Sequence, residues 1–439
     1  MVATKHPKHI CIVGTGYVGM ASAIGFAELG HRVTGYDIVA ERVRGLQLGI
    51  TPYRETGIEE TLRRHLIRDG IRFHDDLELA VRGADYVVVA VGTPAHADGS
   101  TDLSAVDGAI ASLAPLLPEH AVIVLRSTVP VGTSERLSAR CPHEVIFAPE
   151  FLREGSALFD FINPDRIIVG AESTAAAEGY GALLATLRRP LIITTLRNAE
   201  LIKSFSNAFL ALKISFANEV ANFCDAVEAD ALAVLSGIGY DSRIGRSFLY
   251  PGIGFGGPCF EKDLKSLDHV ARLHGTSREL ISATLRVNAA QPKRVVDILE
   301  HELGGLGGTH IGVWGLAFKA ATDDVRDSLA LRILDDLRAR GAVAVAYDPA
   351  VKALPAGYRC GLAPTALAAI ENADALLVLT EWPEFGLVSP WAIATQLRRG
   401  VVVDGRNVLD PRAIVAAGLR YRGVGRTIPS DDVIVAAAS

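Results

Sequence analysis

The sequence predicts an α/β fold, in which two Rossmann-like, doubly wound domains are joined by a long central helix. Short apolar runs alternate with helical stretches in the first part of the chain, and the same alternation returns in the last third. Between them, residues 196–225 lack proline and glycine and repeat apolar side chains at helical spacing. We therefore expect a first Rossmann domain over 1–195, a central helical region over 196–300 and a second Rossmann-like domain over 301–439.

The individual elements follow from these runs in chain order. Continuous apolar segments bounded by turn residues are typical of buried parallel strands. In the first domain they are HICIVG, HRVTGYD, ADYVVVAVG, AVIVLRS, EVIFAPE and RIIVG, and MASAIGFAELG is the first helix. In the last domain they are THIGVWGLAFK, AVAVAYDP, ALLVLTEW and GVVVDGRNVL, with SLALRILDDLRARGA as a helix and LGGLGGT as the linker before them. We expect the tail after Arg426 to be poorly ordered.

Composition excludes several classes of protein. The chain has 439 residues, of which 49% are hydrophobic and 21% charged, with a formal net charge of -6. Because no basic run is present and no apolar stretch reaches the ~18 residues of a membrane helix, we expect neither nucleic acid nor a membrane as a partner. The five cysteines are odd in number and form no CxxC pair, which favours the reducing cytoplasm, without disulfides or a metal site.

A glycine-rich turn, Gly14-Thr15-Gly16-Tyr17-Val18-Gly19, follows the first predicted strand and opens a helix. Gly14 would make the tight turn, Gly16 would let a pyrophosphate approach the backbone, and Gly19 would let the helix pack against the strand. Asp37 ends the next strand and can bind ribose hydroxyls, so it favours NAD over NADP. Arg42 could serve a phosphate or stack on adenine. The alternative is a turn without a ligand.

Small hydroxyl residues follow two other predicted strands, in Val91-Gly92-Thr93-Pro94 and Ser127-Thr128-Val129-Pro130. Ligands bind at the carboxyl ends of strands in open α/β sheets, although ordinary turn chemistry also explains such residues. Glu150 and Glu154 lie four residues apart and would share a face if this segment were helical, either for acid–base chemistry or as a solvated helix start.

The central region contains three further candidate residues. Lys203 and Asn207 lie four apart on the predicted long helix, where they could be a base and an oxyanion donor, or a snorkelling lysine and a capped amide. Cys259 follows the glycine-rich segment 252–257, and Lys262 nearby could favour its thiolate. This setting favours a nucleophile over a buried structural cysteine.

Taken together, these motifs resemble those of the nucleotide-sugar dehydrogenases. The matching segments run in the family's order over nearly the whole chain. They are GTGYVG, VGTP, STVPVGT, PEFLREG, NPDRIIVG, AELIKSFSNAFLALKISFANE, GIGFGGPCFEKD, GLAFKAATDDVRDS and DGRN. The resemblance implies oxidation of the C6 alcohol of a sugar nucleotide to an acid in two hydride transfers, with NAD as cofactor.

The resemblance implies UDP-glucose as substrate, with dTDP-glucose, GDP-mannose or a UDP-N-acetylhexosamine as alternatives. It also implies a homodimer whose core is the long central helix. Catalytic roles fall to Cys259 as the nucleophile of a thiohemiacetal and thioester, and to Lys203, Asp263, Asn207, Thr128 and Glu150. Implied cofactor contacts are Gly14, Gly16, Tyr17, Val18, Gly19, Asp37, Arg42, Thr93, Pro94, Ser127, Thr128, Glu154, Lys262 and Arg326. Implied substrate contacts are Glu150, Phe151, Leu152, Arg153, Glu154, Lys203, Asn207, Arg243 (from a neighbouring subunit), Tyr250, Gly252, Gly256, Phe318, Lys319 and Arg406.

Two positions depart from the family pattern, because Glu261 stands where the family usually has proline and Pro258 where serine is common. Two functions of other classes are alternatives. A 3-hydroxyacid dehydrogenase would need neither a cysteine nucleophile nor a second Rossmann domain. An inactive NAD-binding sensor would not need Cys259, Lys203 and Asp263 together.

Overall fold

A computed structural model describes residues 6–426 of the chain. The tail after Arg426, for which we expected poor order, lies outside the described residues. The chain groups into two compact units, the first formed by 1–206 and 262–277 and the second by 207–261 and 278–439. The division into three domains at 195 and 300 stays a prediction.

The strands carry most of the apolar runs noted above. In chain order they are β1 (His9–Val13), β2 (Arg32–Tyr36), β3 (Ile71–His74), β4 (Tyr86–Val89), β5 (Val122–Leu125), β6 (Val145–Phe147), β7 (Ile167–Gly170), β8 (Leu191–Thr194), β9 (His310–Trp314), β10 (Val343–Tyr347), β11 (Gly361–Leu362), β12 (Ala375–Val378), β13 (Val401–Asp404) and β14 (Arg420–Gly423).

Most helices lie between consecutive strands, and four of them follow one another in the middle of the chain. They are α1 (Tyr17–Glu28), α2 (Ala40–Gln47), α3 (Ile58–Ile67), α4 (Leu77–Val81), α5 (Ser104–Leu113), α6 (Thr133–Ser138), α7 (Ala157–Ile162), α8 (Thr174–Leu183), α9 (Leu196–Ala226), α10 (Ala231–Gly239), α11 (Phe260–Leu273), α12 (Glu279–Leu303), α13 (Leu329–Ala339), α14 (Ala366–Ala369), α15 (Pro390–Gln396) and α16 (Pro411–Ala416). Short 3-10 turns cover Ala185–Leu187 and Pro383–Leu387.

The described part of the first unit contains an eight-stranded sheet in the order β3-β2-β1-β4-β5-β6-β7-β8. Both faces of the sheet are covered: Ile10 and Ile12 of β1 pack in one apolar cluster, and Cys11 and Val13 in another. Burial on both faces explains why the strands are continuous apolar runs rather than alternating ones. The predicted Rossmann topology is thereby confirmed.

One expectation about this sheet is confirmed on one side of a strand and wrong on the other. RIIVG was predicted to be a parallel strand like its neighbours, but β7 pairs antiparallel with β6 through Phe147 and Gly170 and parallel with β8. Side-chain burial in a strand is the same in either direction, so the apolar pattern does not distinguish parallel from antiparallel pairing.

The described part of the second unit contains a six-stranded parallel sheet, in the order β11-β10-β9-β12-β13-β14. Its two faces are also buried, since Leu377 packs with Leu299 of α12 on one side and Leu376 packs with Trp314 on the other. This is the second Rossmann-like domain that the sequence predicts. The predicted long helix is α9, which has 31 residues.

Candidate active site

The glycine-rich turn lies between β1 and α1, as predicted. Gly14 has a φ of +91°, which favours glycine, and a Cβ on Gly19 would lie 1.8 Å from the Gly14 carbonyl oxygen. A Cβ on Gly16 would meet nothing within 4 Å. The start of α1 therefore presents open, side-chain-free backbone, which fits the pyrophosphate of a dinucleotide.

Asp37 follows β2 and is buried beside this turn. Its carboxylate accepts hydrogen bonds from the Thr15 amide at 2.9 Å, the Val39 amide at 3.0 Å and Arg42 Nη1 at 2.8 Å. Burial would raise the pKa of Asp37, but the amides of Val39 and Thr15 and the Arg42 guanidinium lower it below its ordinary value. The Asp37 carboxyl is thus ionised at neutral pH and forms an ion pair with Arg42.

The loops after β4 and β5 lie side by side at the carboxyl edge of the sheet. Thr93 Oγ1 donates to the Thr128 carbonyl at 2.8 Å, and Ser127 Oγ donates to the Val91 carbonyl at 2.7 Å. These bonds join the VGTP and STVP segments, with Pro94 following Thr93. The predicted position at the carboxyl ends of neighbouring strands is confirmed.

Lys203 and Glu150 form a buried ion pair in the first unit. Lys203 Nζ lies 3.1 Å from Glu150 Oε1, and the two side chains are only 6% and 10% exposed. The second Glu150 oxygen accepts from the Leu152 amide at 2.6 Å, and the Phe151 ring centre lies 5.2 Å from Lys203 Nζ. Asn207, buried one turn later on α9, belongs to the second unit.

The segment that carries Glu150 and Glu154 is not helical, so these two residues do not share a helical face. Residues 149–153 are irregular because Arg153 is tied to Asp160, through its amide at 2.8 Å and Nη2 at 2.6 Å. Glu55 accepts from the Gly155 amide at 2.7 Å and fixes the end of the segment. These tertiary contacts replace the local hydrogen bonds of a helix.

Helix α11 begins directly after Cys259 and carries Lys262 and Asp263. Lys262 Nζ donates to Asp263 Oδ1 at 2.7 Å, and the Asp263 side chain is 2% exposed. Both residues belong to the first unit, whereas Cys259 belongs to the second and is exposed. Glu261, the departure from the family pattern, pairs with Arg332 of α13 at 2.9 Å within the second unit.

The side-chain amides of three buried residues, Asn218, Asn288 and Gln291, hold the glycine-rich loop of the second unit. The Gly252 amide donates to Asn218 Oδ1 at 2.7 Å, and Gln291 Nε2 donates to the Gly252 carbonyl at 3.1 Å. Asn288 bonds both the amide and the carbonyl of Phe255, at 2.7 and 2.9 Å. The loop before Cys259 is therefore fixed by α9 and α12 rather than by its own sequence.

The predicted substrate contacts of the second unit lie around this loop. Arg406 donates to the carbonyl oxygens of Gly254 at 3.2 Å and Phe318 at 3.4 Å. Gly256 is confined as well, because a Cβ there would lie 2.7 Å from the Asp327 carbonyl oxygen. Lys319 Nζ lies 5.7 Å from the Phe318 ring centre.

Three further predicted contacts are exposed. Tyr250 is 66% exposed, Arg326 pairs with Asp324, and Arg243 pairs with Asp241 at 2.6 Å.

Sequence reasoning missed the residues that hold the segments carrying the predicted site residues, namely Glu55, Asp160, Asn218, Asn288 and Gln291. The available signal is a polar side chain within an apolar helical stripe, as for Asn218 on α9 and for Asn288 and Gln291 on α12. Within residues 6–426, no three His, Cys, Asp or Glu side chains are grouped to hold a metal ion. No helix of this part of the chain is long and apolar enough to cross a membrane.

Family models match three consecutive parts of the chain. The NAD binding domain of the UDP-glucose/GDP-mannose dehydrogenase family matches residues 8–189, its central domain 197–290, and its UDP binding domain 312–411. UDP-glucose 6-dehydrogenase TuaD of Bacillus subtilis (strain 168) is 40% identical over 440 residues, covering 97% of this chain and 95% of that protein. UDP-glucose 6-dehydrogenase of Rhizobium meliloti (strain 1021) is 37% identical, covering 95% and 99%.

Solved structures agree with this similarity. A UDP-glucose dehydrogenase from Pyrobaculum islandicum is 38% identical with a TM-score of 0.89, covering 97% of this chain and 99% of that one. A UDP-D-ManNAc dehydrogenase from Pyrococcus horikoshii is 27% identical with a TM-score of 0.86, covering 95% and 99%. With three domain matches in order, the chain belongs to the UDP-glucose/GDP-mannose dehydrogenase family of NAD-dependent oxidoreductases.

Proposed function

We propose that this protein oxidises the C6 hydroxyl of UDP-glucose to the acid of UDP-glucuronate, with NAD as cofactor. The observation that carries the proposal is the near full-length similarity to relatives named for UDP-glucose, at 37–40% identity. The relative named for UDP-D-ManNAc is more distant, at 27%. The same reaction on dTDP-glucose, GDP-mannose or a UDP-N-acetylhexosamine remains the second candidate.

We propose a division of work among the predicted domains. Residues 1–195 bind NAD, 301–439 bind the nucleotide of the sugar substrate, and 196–300 join them and carry the nucleophile. The matched family domains at 8–189, 197–290 and 312–411 support this division.

For the first oxidation, we propose that Lys203 and Asp263 act together as the base for the C6 hydroxyl proton and as the charge that stabilises the transition state. Asn207 polarises the C6 oxygen. NAD, when bound at the turn before α1, supplies the acceptor for hydride. The buried ion pair between Lys203 and Glu150 supports a role in charge stabilisation, since a desolvated charge acts more strongly on a developing one.

For the second oxidation, we propose that the Cys259 sulfur adds to the aldehyde carbon and forms a thiohemiacetal. Loss of hydride from that carbon, for which a second NAD bound at the turn before α1 would be the acceptor, and of the hydroxyl proton to a base then leaves a thioester. Water held by Thr128 and Glu150 attacks the acyl carbon, the carbon–sulfur bond breaks, and the acid and the thiol are released. The exposure of Cys259 next to the start of α11 supports this role.

A panel of sugar nucleotides tests the substrate. We expect NADH formation with UDP-glucose at a kcat/KM at least about tenfold above dTDP-glucose, GDP-mannose and UDP-N-acetylglucosamine, because each changes groups that a specific pocket would contact. A higher kcat/KM with any of these would assign the enzyme to that substrate. No NADH with any sugar nucleotide would favour the sensor, and NADH with a 3-hydroxyacid would favour that dehydrogenase class.

The cofactor preference follows from Asp37. We expect the wild-type enzyme to prefer NAD over NADP by roughly 100-fold or more, because a 2′-phosphate would meet the ionised carboxylate. Asp37→Asn keeps an acceptor for the Thr15 amide and removes the charge. It should therefore reduce the ratio of kcat/KM for NAD to kcat/KM for NADP about tenfold. The measurement is kcat/KM for each cofactor.

Arg42 supplies the control for this experiment. Removal of the Asp37 charge releases Arg42 from its ion pair, so part of the narrowing should come from Arg42 contacting the 2′-phosphate. Asp37→Asn combined with Arg42→Ala should therefore recover less NADP activity than Asp37→Asn alone. Equal wild-type efficiency with both cofactors would contradict the assignment of Asp37.

We also propose that the enzyme is a homodimer through α9 and works in the cytoplasm. The helix exposes Phe209, Phe216 and Phe223 by 61%, 49% and 69%, and their seven-residue spacing places them along one face. Such a row of large apolar side chains is typical of a contact surface. The odd, dispersed cysteines favour a reducing compartment.

A charge in this row should weaken the dimer. We expect Phe216→Glu to raise the dissociation constant at least about tenfold, because a desolvated, unpaired carboxylate costs more than roughly 1.4 kcal/mol. Phe159→Glu is the control, since Phe159 is 63% exposed on α7 of the first unit. Sedimentation of wild-type protein as a monomer, or equal effects of both substitutions, would contradict the interface.

A further inference from the structure

Glu200 is a buried carboxylate that the proposed chemistry does not use. It lies on α9 and is 1% exposed. One carboxylate oxygen accepts from the Gly132 amide at 2.6 Å and the other from the Ser134 amide at 2.7 Å. Because burial of a charge is costly unless it is hydrogen-bonded, these two bonds define what the residue does in this fold.

The two amides lie at the start of α6, directly after the loop that carries Thr128. At the start of that loop, the Thr128 carbonyl accepts from Thr93 Oγ1 at 2.8 Å. Within it, the Thr133 amide donates to the Pro130 carbonyl at 3.2 Å. Glu200 binds its far end, so the Thr128 loop is held on both sides, by the loop after β4 and by α9.

Glu200 also lies on the same helix as Lys203. Residues three apart on a helix are neighbours on its surface, so Glu200 and Lys203 share one side of α9. Lys203 pairs with Glu150 in the loop after β6, and Glu200 binds the start of α6, where the loop after β5 ends. One helical turn thus sets the positions of both loops.

We infer that Glu200 is a positioning residue, which fixes the Thr128 loop against the helical turn that carries Lys203. The inference rests on the proposed function, in which Thr128 and Glu150 hold the water that hydrolyses the thioester. Glu200 acts through these residues and takes no proton in the reaction. Its loss therefore affects hydrolysis more than binding or hydride transfer.

Glu200→Gln is the informative variant. A glutamine has one acceptor oxygen, and its amino group would face the second backbone amide, so one end of the loop is released. Displacement of a catalytic group by ~1 Å can cost about 100-fold. We expect uronate release to slow roughly 10- to 100-fold, with KM for NAD and UDP-glucose within about threefold of wild type.

The readout is the covalent adduct on Cys259. Intact-protein mass spectrometry during turnover of UDP-glucose should show the uronyl thioester accumulating in Glu200→Gln and not in wild type. If Glu200 had only a structural role, Glu200→Gln would slow both oxidations and lower the melting temperature, and no adduct would accumulate. Glu200→Asp keeps two acceptors and should partly restore hydrolysis.

Glu135→Gln is the matched control. Glu135 of α6 pairs with Arg197 of α9, so this change removes another contact between the same two helices but leaves both Glu200 bonds. We expect no adduct and a kcat within about twofold of wild type. An adduct level in Glu200→Gln equal to wild type, or an equal level in Glu135→Gln, would overturn the inference.

The proposed function is judged separately in the same experiment. Wild-type protein that forms no UDP-glucuronate would refute the proposed function, whatever the variants do. If Glu200→Gln is insoluble, the amount of adduct in Glu200→Asp tests the inference instead. Because the aspartate only partly restores the loop, this variant should still accumulate the thioester on Cys259. Absence of the adduct in a soluble Glu200→Asp variant with impaired uronate release would then overturn the inference.

Discussion

Cys259→Ala should abolish the formation of UDP-glucuronate while exchange between the alcohol and the aldehyde persists. Removal of hydride from the C6 alcohol needs a base, a positioned acceptor and a polarised oxygen, none of which is a thiol. An aldehyde carbon can release hydride only after a nucleophile has added to it, and Cys259 provides that nucleophile. We expect uronate formation to fall roughly 1,000-fold or more.

The assay uses UDP-glucose and UDP-6-aldehydoglucose separately, with products separated by chromatography. Cys360→Ala is the control, because burial raises the pKa of the Cys360 thiol to about 11 and leaves it unreactive at neutral pH. It should retain wild-type rates. A Cys259→Ala enzyme that released uronate near the wild-type rate would show that water attacks the aldehyde directly, and the covalent route would be wrong.

Lys203→Ala should lose far more in turnover than in substrate binding. A group that acts in the transition state lowers kcat and kcat/KM together, and charge stabilisation or proton transfer of this kind contributes roughly 100- to 10,000-fold. KM for UDP-glucose should stay within about threefold. An unchanged kcat with a raised KM would make Lys203 a binding residue.

Stability must be separated from catalysis in this variant. Removal of Lys203 leaves the buried Glu150 carboxylate without its cation, which typically costs about 3–5 kcal/mol. Lys203→Met combined with Glu150→Gln removes both charges and should recover much of the melting temperature. If kcat recovered with it, the loss in Lys203→Ala would have been one of stability.

The parts of the fold that depend on local pattern are predictable from the sequence. The turn at Gly14 and Gly19 has a fixed spacing because only glycine suits the backbone there, and α9 follows from an unbroken helical period. The strands β8 and β14 are not evident. β8 is a short, exposed edge strand, and its apolar run of three residues is too short to indicate a strand. β14 carries two arginines and lacks an apolar run.

The site is less predictable, because its geometry comes from contacts distant in sequence. The buried pairing of Lys203 with Glu150 joins residues that only the tertiary fold brings together. The irregular backbone after Glu150 depends on Asp160 and Glu55, and no local signal indicates either partner. Sequence patterns identify residue types suited to the chemistry, whereas positioning residues such as Asp160 and Glu55 appear only once the fold is known.

The most direct test of this account is the amount of NADH formed from a limiting, known amount of UDP-glucose. Complete conversion with excess NAD should give two NADH and one UDP-glucuronate for each UDP-glucose consumed, because both oxidations occur on one enzyme. One NADH for each UDP-glucose, with the aldehyde as the final product, would contradict the account, as would consumption of UDP-glucose without NADH.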